Sequence, residues 1–142
     1  MFNGFEPAPF TAWTPYFAYA VPGDSTFAYS VQSGNCLKIG RLITVNFRIS
    51  AVTTFSTASG ALSIIGLPYA SLNYNGQFFT GNTLWAGITK ASYTNVTLRI
   101  SAGYTSIQFL ASGSGVASAA VQASDTPTGG TLNFIGSISY FV

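Results

Sequence analysis

Three carboxylates, one thiol and no imidazole are all that this 142-residue chain offers to acid–base or covalent chemistry. Without histidine there is neither a Ser-His-Asp nor a Cys-His nucleophile. Glycoside hydrolysis needs two carboxylates held a few ångströms apart across a sugar. Glu6 lies among prolines, while Asp24 and Asp125 sit beside Ser, Thr, Pro and Gly, where aspartate ordinarily serves turns. Cys36 alone makes no intrachain disulfide and no thiolate cluster, and it suits the role of a small buried hydrophobe. Zinc and calcium sites lack their ligands. The Gly113-Ser114-Gly115 fragment has no Gly-Lys-Ser/Thr after it, so it is not a phosphate loop. The expectation is a protein that is not an enzyme, with no catalytic, cofactor-binding or metal-binding residue.

Binding chemistry is better supplied. Tyr69, Tyr74, Phe78, Phe79 and Trp85 are interleaved with Asn73, Asn75, Gln77 and Asn82. Sugar rings stack on aromatic faces and their hydroxyls pair with amides, so this stretch could recognise a host cell-surface glycan. The alternative is that the same rings line a subunit interface or the core. A second aromatic group, Phe2, Phe5, Phe10 and Trp13, falls in residues 1–15 beside Pro7, Pro9 and Pro15. The prolines remove backbone donors and hold the chain extended. Residues 1–15 therefore read as an extended N-terminal arm whose aromatics lie on their own domain, a sister subunit or another protein.

Only 6% of the residues are charged, against roughly 25% in ordinary soluble proteins, while 48% are hydrophobic and 15% aromatic. A chain so short of charge is expected to hide much of its surface against copies of itself or other partners. The aromatic and β-branched content excludes disorder. Five dispersed basic residues, Lys38, Arg41, Arg48, Lys90 and Arg99, make a poor phosphate-tracking surface, so no nucleic-acid partner is expected. No apolar run reaches 18 residues and no basic-then-apolar leader opens the chain, so neither a membrane span nor a secretory signal is expected. Met1 reads as a true start, with the chain kept in a cytoplasm until it assembles.

These residues must be positioned by strands. From Leu42 to Ala51 apolar residues alternate strictly: Ile43, Val45, Phe47, Ile49 and Ala51 on one side, Leu42, Thr44, Asn46, Arg48 and Ser50 on the other. Period two over that length is a half-buried strand, and this one is expected to be central. Phe27, Tyr29 and Val31 share a face of a preceding strand, Ser33-Gly34-Asn35 reads as a turn, and Gly40 reads as a bulge or close approach. Further short strands are expected at 61–65, 83–90, 95–102, 105–111, 116–122 and 130–142, with Asn75-Gly76 as a turn pair. Eight or nine short strands without a helix predict an all-β fold, a single antiparallel β-sandwich of jelly-roll type over residues 16–142.

Trp13-Thr14-Pro15, Phe27-Ala28-Tyr29 and the strand Lys38-Ile39-Gly40-Arg41-Leu42-Ile43-Thr44-Val45 resemble a small β-domain family of bacteriophage virion proteins. Members form the C-terminal ends of tail fibres and tailspikes, or small virion proteins such as capsid decoration (cement) proteins. Gly60 to Tyr69 is similar to the family's next element, a strand ending in Gly-Leu-Pro-aromatic, and Leu132 to Ser137 to its closing strand. The resemblance implies a homotrimeric β-sandwich on a phage particle, made in the host cytoplasm. Its partners would be itself, the major capsid protein or another virion protein. It carries over no catalytic residue.

Overall fold

In the computed structural model the described residues are 10–142; Phe2, Phe5, Pro7 and Pro9 of the expected arm lie outside them. The fold is all-β and antiparallel. Ten strands are described: β1 (Phe10–Trp13), β2 (Tyr16–Val21), β3 (Thr26–Ile39), β4 (Leu42–Thr54), β5 (Ser59–Ile65), β6 (Phe79–Ala86), β7 (Asn95–Ile100), β8 (Ser106–Gly113), β9 (Val116–Ala120) and β10 (Gly130–Phe141). They form one curled sheet in the order β1-β3-β4-β10-β6-β7-β8-β5-β2, with β9 added to β8. Between β9 and β10 a short 3-10 turn spans Ala123–Asp125.

The curl follows from what the long strands must cover. β4 pairs along its full length with both β3 and β10, and its alternation is the one read from sequence: Ile43, Val45, Phe47, Ile49 and Ala51 are all buried. From β10, Leu132, Phe134, Ile138 and Tyr140 join the same core. The sheet bends until its far end lies on this face, so Phe17 of β2 packs on Phe27, Tyr29 and Phe134. Phe109 of β8 stacks on Phe134 with ring centroids 4.3 Å apart. Each such large side chain contributes roughly 1.5–3 kcal/mol when fully buried.

Ser33-Gly34-Asn35 does not turn the chain; β3 runs straight through it. Gly34 is there for space. A Cβ at this position would lie 2.6 Å from the Trp13 ring, which crosses over it and donates from Nε1 to the Asn35 carbonyl at 3.2 Å. Gly136 does the same on β10, beneath the Phe47 ring. Trp13 and Phe47 then meet edge to face, 6.4 Å apart. Val31 also departs from expectation. An irregularity between Tyr29 and Val31 inserts one residue, so Tyr29 faces the core opposite Ala51 while Val31 turns outward opposite Ser50. Gly40 marks neither a bulge nor a close approach, but the hairpin turn between β3 and β4.

Buried polar groups pair among themselves. The Thr126 hydroxyl donates to the Ala123 carbonyl at 2.7 Å and accepts from the Tyr19 hydroxyl at 2.9 Å. Tyr19 in turn accepts from Thr53 at 2.9 Å. This relay ties β2, β4 and the 3-10 turn together at one end of the molecule.

Candidate functional site

The groups read as poor candidates for chemistry are held in structural work. Asp24, in the turn after β2, accepts from the Ser56 hydroxyl at 2.6 Å, from the Ser56 and Thr57 amides at 2.8 Å each and from the Thr57 hydroxyl at 3.1 Å. Those bonds, the Ser56 hydroxyl first, hold its carboxyl well below the usual carboxylate range. Asp125 pairs with Lys90 at 2.9 Å and accepts from the Gln122 amide at 2.8 Å, closing the 3-10 turn. The two carboxylates have no partner in common among the described residues. Cys36 is buried on β3 opposite Val45, and burial pushes its thiol pKa up. A high thiol pKa leaves little thiolate, so the group is inert.

The aromatic stretch is dispersed by the fold. Phe79 opens β6 opposite Ile100 and is buried against Tyr140, so it belongs to the core and not to a surface. Trp85 faces the core side opposite Phe134, half-buried. Tyr69 is half-buried under the Lys38 ammonium, 4.7 Å from the ring centroid. Tyr74 and Phe78 remain exposed on the loop before β6, with Asn75 (φ +52°) and Gly76 (φ +63°) forming the expected turn. Of the N-terminal aromatics, Trp13 is a core residue of its own chain, while Phe10 is 72% exposed at the start of β1. Residues 10–13 are thus part of the sheet, paired with Gly34 to Leu37 of β3.

The face of the sheet away from the core is the feature sequence reasoning did not assemble. Registers across β1, β3, β4, β10 and β6 place Phe10, Ile39, Leu42, Val52, Leu84, Ile135 and Phe141 on it. These are seven of the fourteen large apolar residues left exposed among the described residues. Between them stand Ser33, Asn35, Asn46, Asn82 and Ser137, with Arg48 as the one charge that these five strands place there. The centre is a groove of about 670 Å³ lined by these amides and hydroxyls together with Arg48, Leu84 and Ile135. The sequence signal was available: the outward set of β4 and that of β10 are both nearly chargeless. Their adjacency came only from the β4–β10 pairing, which spans most of the chain.

The fold and this face define an all-β protein with one broad, nearly uncharged sheet surface. Compared with protein-family models, curated proteins and solved structures, the chain matches none. Among the described residues no helix is long and apolar enough to cross a membrane.

Proposed function

We propose that this chain is a non-enzymatic structural protein of a bacteriophage particle, a homotrimeric capsid decoration (cement) protein with a jelly-roll-like sandwich fold. One observation carries the reading: half of the large apolar residues left exposed among the described residues share a face of five strands that holds a single charge. Large exposed apolar residues gathered on one face mark an interaction site, and a face this short of charge is what protein interfaces favour. Symmetric assembly would use such a face repeatedly and remove the need for surface charge. The role as a virion component draws on the family resemblance, and Phe2, Phe5 and the exposed Phe10 are then the aromatics that engage a sister subunit or the shell.

The test is solution mass and binding to decoration-free capsids. The full chain should elute as a trimer and saturate capsids. Removal of residues 1–9 should leave a folded sheet, because β1 begins at Phe10, but bind far more weakly. A monomer that ignores capsids would overturn the reading. A second reading, a receptor-binding tail-fibre tip, is favoured by the exposed rings of Tyr74 and Phe78 at one end of the molecule. Hundreds of copies per particle support decoration; a handful support the tip.

A further inference from the structure

The groove on the outer face is built as two rows that run across four strands. Asn35, Asn46, Ser137 and Asn82 stand opposite one another on β3, β4, β10 and β6, a row of amides and one hydroxyl. Two residues along the strands, Ser33, Arg48, Ile135 and Leu84 form the second row, which sets the charge beside two apolar side chains. Both rows are exposed throughout. Between them lie Gly34 and Gly136, so bare backbone makes part of the floor. With neighbouring strands roughly 4.8 Å apart, the rows are about 14 Å long. That is the reach of about four or five extended residues.

These groups suit an extended peptide. An asparagine side chain carries a donor and an acceptor together, so it can pair with both polar groups of a peptide link. Phe47 is the one aromatic residue among the described lining residues, and its ring is buried on the core side, so the groove offers a sugar no stacking face. Residues 1–9, Met-Phe-Asn-Gly-Phe-Glu-Pro-Ala-Pro, have the matching content. Glu6 is their one charged side chain, as Arg48 is the one charge that the five strands place on this face. Phe5 directly precedes Glu6, and Ile135 stands directly opposite Arg48. The direction of β1 tells whose segment fits. Phe10 lies opposite Leu37 and Trp13 opposite Gly34, so the chain before Phe10 leads toward Ile39, whereas Arg48 lies opposite Ser33. Kept extended by Pro7 and Pro9, that chain would carry Glu6 roughly 25 Å from its own Arg48, at about 3.3 Å per residue.

We infer that the groove receives residues 1–9 of a second copy of this chain, with Glu6 on Arg48 and Phe5 on Ile135 and Leu84. The amide row then pairs with the backbone of the incoming segment. The inference rests on the assembly reading and deepens it, because it sends the arm to a sister subunit and not to the shell. Such a contact joins two different surfaces, a segment and a groove. Repeated around a three-fold axis it closes, each protomer giving one arm and taking one.

Crosslinking of the full chain with a short bismaleimide tests it. Glu6→Cys and Arg48→Cys chains, one of them tagged, are mixed, left to exchange protomers and treated with the linker. Cys36 is buried and stays unlabelled. A product joining tagged to untagged chains is expected, at least fivefold above that from Glu6→Cys with Val52→Cys, an exposed position of the same face outside the groove. A chain carrying both Glu6→Cys and Arg48→Cys, diluted into unsubstituted chains, should not close on itself. Because these cysteines remove the charges, sedimentation equilibrium of charge variants is the second measurement. Glu6→Arg and Arg48→Glu should each weaken trimer association at least threefold, and the chain carrying both should return to within twofold of the parent. A trimer that gives no product between chains, equal reaction at Val52, a loop within one chain, or a double variant no tighter than the single ones would each overturn the inference and leave the assembly reading standing. A monomer would overturn both.

Discussion

The inner and outer faces of β4 and β10 are built from the same two strands and obey different rules. On the inner face every side chain of β4 from Ile43 to Ala51 is at most 3% exposed, and shape is fixed to the atom: two glycines make room for two rings. The outer face sets Thr44 against Ser139, Asn46 against Ser137 and Arg48 against Ile135. Thr44 and Ser139 share a hydrogen bond at 2.8 Å, and the rest is open surface. Ordinary proteins make the second face soluble with charge. Here amides and hydroxyls stand in for charge, which keeps the face hydrated while leaving little desolvation cost when another surface covers it.

The largest test of that difference is Phe47→Ala, which removes a ring from the inner face and leaves a cavity. A loss of roughly 3–5 kcal/mol is expected in urea unfolding. Asn46→Ala and Arg48→Ala, its two neighbours on the outer face, should stay within about 0.5 kcal/mol of the parent. Similar midpoints for all three would mean that the faces are not distinct.

Next in size is the ring-over-glycine contact. Gly34→Val places atoms where the Trp13 indole lies and should cost about 1–3 kcal/mol from overpacking. Trp13→Ala empties that space, so the double variant should lose less than the sum of the single losses. Strict additivity would show that the two positions do not touch.

How much of this was legible beforehand depends on the range of the interaction. The inward set of β4 was readable because a two-residue period is a local property. Gly34 was misread as a turn because a glycine within Ser-Gly-Asn has the local signature of one. Its real reason, the Trp13 ring, lies on another strand. The inversion of Val31 was hidden for the same reason, since a bulge is defined by the partner strand. The aromatic stretch misled differently: sequence proximity grouped Phe79 and Trp85 with Tyr74 and Phe78, but strand alternation in β6 turned the former pair inward. The hydrogen bonds of Ser71 to Ser101 and Tyr104, which fasten the loop after β5 to the turn before β8, had no local signal at all.

The hydroxyl relay sharpens the contrast on the polar side. Tyr19→Phe strands the Thr53 hydroxyl inside the core and leaves Thr126 only its bond to the Ala123 carbonyl, and a loss of about 1–3 kcal/mol is expected for a stranded buried group. Thr44→Ala removes a hydrogen bond from the exposed face, where water replaces it, and should cost no more than about 0.5 kcal/mol. Chemical denaturation of the two variants side by side measures the gap. Equal losses would mean that burial does not separate the faces.

The smallest expected effect is the most diagnostic of how an exposed charge acts in this chain. Asp24 is open to solvent, yet it accepts four hydrogen bonds, and its carboxyl is held well below the usual range in the folded state. A depressed folded pKa means that the stabilisation is complete above the ordinary carboxylate pKa and is lost as pH falls through that range toward the folded value. Asp24→Asn should therefore lower the thermal midpoint modestly at neutral pH, and the gap between variant and parent should close on acidification. Solvent screening keeps the gap small, because the bonds are exposed. A gap that stays constant from neutral to strongly acid conditions would show that the turn depends on the shape of the side chain and not on its charge.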